Sequence, residues 1–203
     1  MSASRLMVGI LVALGGFYAG SWSLFKIYSV DFIIAQRQAP MVYTLGAVIN
    51  FTGDDGISAA KPYQIQGWSH PETQGTWTDG PEAELALRLT PAPSGPLRLT
   101  TRFESVITDH QHPIQAFTLL ANERVIDHGS VQASELPLLH EVMIPVAVLS
   151  VDGILRLTLR IHQPLSPKAL GQSEDQRQLG IKISQIQISP ATPGSLPSTP
   201  TPP

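Results

Sequence analysis

The sequence contains no cysteine, so disulfides, zinc–thiolate sites and thiol catalysis are excluded. Missing cysteine does not fix the compartment, because many exported domains fold without disulfides. Charge is also scarce. Charged residues make up 14% of the chain and the net charge is -3, against about 25% charged residues in an average soluble domain. Lys and Arg form no cluster anywhere, which argues against a nucleic-acid partner. No helical periodicity is found after residue 40, and no internal repeat.

The N-terminus is apolar. Residues 6–25 hold no charged side chain and are long enough to cross a hydrocarbon core of about 30 Å as a helix. Arg5 precedes the run and Lys26 follows it. Arg5 and the free amine favour a cytoplasmic N-terminus, and Lys26 weakens that bias. A cleaved signal peptide is the rival, with Ala19-Gly20-Ser21 as a small-residue site. Apolar character continues past that site through Trp22, Leu24, Phe25, Ile27 and Tyr28, which favours a retained anchor. Either reading places the rest of the chain outside the cytoplasm. Gly16 and Gly20 form a GxxxG pair that would let two membrane helices approach closely. The expected organisation is an anchor over 1–28, a connector over 29–41, a β domain over 42–188 and a Pro/Ser/Thr-rich disordered tail over 189–203.

In the body the period is two. Leu85, Leu87 and Leu89 share one face of a strand, and Glu84 and Arg88 take the other. Leu97 to Phe103 and Leu155 to Ile161 repeat the scheme. One buried face and one wet face predict antiparallel sheets. Weaker strands are expected near 44–52, 62–68, 115–121, 124–128 and 140–148, giving eight or nine in all. The fold class is therefore all-β, an antiparallel β-sandwich or jelly roll behind one transmembrane helix. In the last strand Ile181 and Ile183 have one parity, and Ile186 and Ile188 the other. A bulge near Ser184-Gln185 would let one face bury both pairs.

Two segments carry a resemblance. The first is Gly67-Trp68-Ser69-His70-Pro71-Glu72-Thr73-Gln74-Gly75-Thr76-Trp77-Thr78-Asp79-Gly80. The second is Ser166-Pro167-Lys168-Ala169-Leu170-Gly171-Gln172-Ser173-Glu174-Asp175-Gln176-Arg177-Gln178-Leu179-Gly180, leading into the last strand. Together they resemble an uncharacterised β-sandwich domain found on bacterial membrane proteins and glycosyltransferases of cell-surface polysaccharide assembly. The resemblance covers residues 45–188. It implies an extracytoplasmic accessory module on a single-pass inner-membrane anchor, in contact with the bilayer and associated with polysaccharide synthesis or export. It supplies no reaction. Asn122-Glu123 stands where that family often has Asn-Gly, and a different hairpin turn is expected there.

Trp68 and Trp77 flank Glu72, and two aromatic faces beside a carboxylate suit a sugar ring. With Asp175 and Arg177 they form the candidate glycan site. The competing and favoured reading packs both tryptophans and pairs Glu72 with Asp175 or Arg177 as a clamp between loops. Calcium could use Asp54-Asp55 or Glu174-Asp175, yet neither lies in a dense ligand loop. His110 and His112 have a metal-compatible spacing without a third ligand, and His70, His128, His140 and His162 receive no role. Asn50-Phe51-Thr52 matches a glycosylation sequon that reads as a strand end. Ser69 lacks a nucleophile elbow, and no two carboxylates are placed for glycoside cleavage. The chain reads as a non-enzyme without cofactor or metal. Its expected partners are a glycan or, alternatively, another envelope protein held by a scaffold.

Overall fold

The computed structural model describes residues 40–53, 56–109 and 113–191. The anchor, most of the connector, Asp54-Asp55, His110-Gln111-His112 and all but the first three residues of the tail lie outside them. Among the described residues no helix is long and apolar enough to cross a membrane.

Among the described residues twelve strands form two six-stranded sheets, more than the eight or nine expected because several are only three to five residues long. The first sheet runs β1 (Met41–Thr44), β6 (Glu82–Thr90), β11 (Ile154–Ile161), β8 (Ile114–Ala121), β9 (Arg124–Gln132), with β3 (Gln64–Gln66) also on β6. The second runs β10 (Leu138–Ile144), β7 (Leu97–Val106), β12 (Leu179–Pro190), β5 (Gly75–Asp79), β4 (Trp68–Glu72), with β2 (Val48–Asn50) also on β12. Counted from β5, the last eight strands sit in the orders 1-8-3-6 and 2-7-4-5, the interleaved arrangement of a jelly roll. One pair departs from the expected antiparallel scheme, since β1 runs parallel to β6.

The alternation works as expected. Leu85, Leu87 and Leu89 of β6 and Leu155, Leu157, Leu159 and Ile161 of β11 all enter one core cluster. Leu97, Leu99 and Phe103 of β7 join them from the other sheet. Phe103 meets Phe117 edge-on at 5.5 Å between centroids. Burying each such side chain stabilises the fold by about 1.5–3 kcal/mol. At one end Tyr43 stitches the sheets together. Its hydroxyl accepts the Ile188 N–H at 2.8 Å and donates to the Ala47 carbonyl, and burial raises its pKa above the usual phenol value.

The predicted bulge is present. The register of β12 against β7 shifts between Ile183 and Gln185, leaving Ser184 as the inserted residue. Ile181, Ile183, Ile186 and Ile188 are all buried in consequence. β12 continues through Pro190, paired with Leu97, so the expected tail starts two residues too early. The Asn122-Glu123 expectation is also corrected. Ala121 pairs directly with Arg124, and both turn residues have positive φ, 46° and 67°. This is the turn that Asn-Gly would make, with glutamate in the place suited to glycine. Asn122 compensates by bonding the carbonyls of Val148 and Ile154 and the Arg156 N–H.

Candidate functional site

The first motif folds as the β4–β5 hairpin, and its two tryptophans part company. Trp68 is opposite Thr78 in the ladder. Its ring lies 5.1 Å from Phe51, against the core, and its indole N–H donates to the Glu84 carbonyl at 2.9 Å. Trp77 is opposite Lys182. Because Ile181 and Ile183 point inward, Lys182 and Trp77 share the outer face. Trp77 is nonetheless 7% exposed. The Lys182 ammonium caps its ring at 4.8 Å from the centroid.

Four of the five expected site residues therefore gather: Glu72, Trp77, Asp175 and Arg177. Trp68 does not join them. Lys182 Nζ bonds Glu72 Oε2 at 2.7 Å, and Arg177 Nη2 lies 3.6 Å from Glu72 Oε1. Arg177 grips Asp175 through Nη2 at 2.6 Å and Nε at 2.9 Å. That hydrogen-bonded pairing holds the Asp175 carboxyl below the usual carboxylate range and raises the Arg177 guanidinium. The row continues to Glu104. Burial pushes Glu104 up, but hydrogen bonds from Ser184 and Arg102, with the charges of Arg102 and Lys182, outweigh it and leave its pKa lowered. The Trp77 ring is buried beneath Lys182, Trp68 is partly buried against the core, and every charge in the row is matched. Arg177 thereby links Glu72 of the first motif to Asp175 of the second, in a partly exposed rather than a buried pair. Sequence reasoning missed Lys182, although a lone cation in a strand with no other charged residue was a usable signal.

The second motif is a loop pinned to the first. Gln178 donates its N–H to Asp79 Oδ1 at 3.0 Å and accepts the Gly80 N–H at 2.7 Å. Within the loop, Ser166 and Lys168 both bond the Asp175 carbonyl. Lys168 also holds Glu174 at 2.8 Å. With Arg177 on Asp175, the Glu174-Asp175 carboxylates are engaged by cations of the chain itself. Among the described residues no three His, Asp or Glu side chains form a metal cluster. Gly67 is required by close approach. Its φ is +74°, and a Cβ there would meet the Glu82 carbonyl oxygen at 1.8 Å.

Beside this junction opens a groove of about 660 Å³, lined by Gln66, Gly67, Asp79, Pro81, Glu82, Arg160, Ile161 and His162. Its walls are the start of the first motif, the β5–β6 turn and the end of β11. Arg160 Nε bonds Glu82 Oε1 at 2.8 Å. The Thr118 hydroxyl holds His162 Nε2 at 2.9 Å and His128 Nδ1 at 3.1 Å. The volume falls in the range of about 300–1,000 Å³ typical of small-ligand sites. A second cavity, between the sheets, measures about 30 Å³ and is walled by Trp68, Phe117, His140 and core aliphatics. It has room for little more than one water.

No family model matches the chain. No curated protein matches it either. Solved structures overlap it loosely. A family 35 carbohydrate-binding module from an environmental isolate is 16% identical with a TM-score of 0.37, covering 73% of this chain and 88% of that one. A family 35 module from Clostridium thermocellum is 9% identical at 0.40, covering 71% and 99%. A β-glucosidase from Paenibacillus barengoltzii is 12% identical at 0.37, and the match spans 74% of this chain but 11% of that enzyme. Overlaps this loose carry no argument about ligand or activity.

Proposed function

We propose that this chain is a non-catalytic, membrane-tethered accessory module that recognises a saccharide outside the cytoplasm, in the service of cell-surface polysaccharide synthesis or export. The groove beside the motif junction carries the proposal, because it is ligand-sized and walled by polar side chains already fixed in place. Arg160 orients Glu82, a backbone N–H orients Asp79, and Thr118 orients His162. Donors and acceptors held before binding lower its entropic cost. The uncharged run over 6–25 supports the tether, and the paired motifs support the polysaccharide setting.

The test is calorimetry on the full-length protein in detergent against a broad oligosaccharide panel. Binding of at least one member is expected, and silence across the panel would overturn recognition. Carbonate extraction of membranes and protease accessibility check the tether: the protein should stay in the pellet with its β domain outside.

A scaffold for another envelope protein is the second reading. It is favoured by the burial of Trp77, while Val42, Val48, Ile57 and Leu139 are each about half exposed or more. Crosslinking in intact membranes that recovers only the monomer would exclude it.

A further inference from the structure

Resting on the reading of the groove as a saccharide site, we propose that it selects sugars that donate hydroxyl hydrogen bonds and carry no negative charge, and that Asp79 and Glu82 read them. Two carboxylates and one guanidinium line the groove. Each carboxylate is anchored through one oxygen. Asp79 Oδ1 accepts the Gln178 N–H, and Glu82 Oε1 accepts Arg160 Nε. Asp79 Oδ2 and Glu82 Oε2 take no bond among the described residues. The site thus holds two oriented carboxylate oxygens with accepting capacity to spare, on residues three positions apart across one turn. A carboxylate oxygen is an acceptor only, so its partner must be a donor such as a hydroxyl. Hydrogen bonds to a charged acceptor are the stronger kind.

Charge decides the exclusion. Among the described residues the lining holds two carboxylates against one guanidinium, and that guanidinium already serves Glu82. The neighbouring Glu84 does not relieve this, because it is shared by Arg156 and Gln66. A uronate or phosphorylated sugar would bring like charge against two carboxylates with no free guanidinium to meet it. The exposed Pro81 offers the groove an apolar surface for the C–H side of a ring.

The test compares neutral oligosaccharides with uronic-acid oligosaccharides of matched length and linkage, by calorimetry on the full-length protein at low salt, where repulsion is least screened. The neutral member should bind at least tenfold more tightly. Asp79→Asn and Glu82→Gln keep the anchored oxygen but weaken the free acceptor, and each should weaken neutral binding about tenfold. Glu141→Gln, on the outer strand β10, should leave binding unchanged. Unaltered circular dichroism shows that the variants fold, and Glu82→Gln, at an exposed ion pair, carries the test alone if Asp79→Asn does not. Equal or tighter binding of the uronates, or neutral binding that ignores both substitutions, would overturn this inference while leaving saccharide recognition intact. Failure of every sugar to bind removes both.

Discussion

Replacing Glu72 by alanine leaves Lys182, a residue 8% exposed, without the carboxylate that sits 2.7 Å from its ammonium. Breaking a fully buried ion pair from one side costs about 3–5 kcal/mol. The Glu72 side chain is 38% exposed, so water reaches part of the site and the cost falls to about 1–2 kcal/mol. For a domain of this size that lowers the melting temperature by roughly 3–8 °C. Lys182→Met behaves differently. It removes the buried charge, keeps an unbranched stem over the Trp77 ring, and leaves a half-exposed Glu72 that still has Arg177 at 3.6 Å. Its cost should stay under about 1 kcal/mol. In the double variant nothing charged is stranded beneath the hairpin, so Lys182→Met should recover most of what Glu72→Ala loses, a coupling of about 1 kcal/mol. Thermal melts of the four proteins measure this, with tryptophan emission reporting on Trp77. Equal losses for the two single variants, or strict additivity in the double, would refute the claim that Lys182 is held charged by Glu72.

Two further outcomes are expected. Glu123→Gly places glycine at φ +67°, relieving about 1–2 kcal/mol of left-handed strain against about 0.5–1 kcal/mol of added unfolded-state entropy; calorimetric scanning should show a melting temperature a few degrees higher, and a decrease would show that Glu123 earns its place by a contact. Glu104 and Asp175 both have lowered pKa values. Their contributions are complete above about pH 5 and fade as the pH falls through the unfolded values near 4 towards the lower folded ones. Denaturant midpoints should therefore drop on acidification, and less steeply in Glu104→Gln; identical slopes would remove Glu104 from the account.

Much of the fold was legible because burial alternates wherever one sheet face is dry. The leucines of β6 and β11 declared their faces directly, and the parity clash between Ile183 and Ile186 located the bulge. Alternation names a face but not a neighbour. It could not reveal that β1 lies parallel to β6, or that Lys182 stands opposite Trp77. The tryptophans were read as a flanking pair because they are close in sequence, yet the hairpin between them sets Trp68 opposite Thr78, so that it and Trp77 face opposite ways. The groove was invisible for the same reason. Residues 66–67, 79–82 and 160–162 meet through the pairing of β3 and β11 with β6 and the bond from the Asp79 N–H to the Gly67 carbonyl. Asn122-Glu123 misled because glycine preference is a tendency, and here Asn122 takes three backbone bonds that hold the turn.

Among the described residues β12 is the last strand in sequence, and it sits inside its sheet, between β5 and β7. A chain that emerges N-terminus first therefore cannot close this sheet until residue 190 is free. Until then β5 and β7 present unsatisfied edges to whatever lies nearby, an invitation to aggregation. Loss of β12 alone would split one layer in two rather than trim it, so the sheet becomes whole only once residue 190 has left the ribosome.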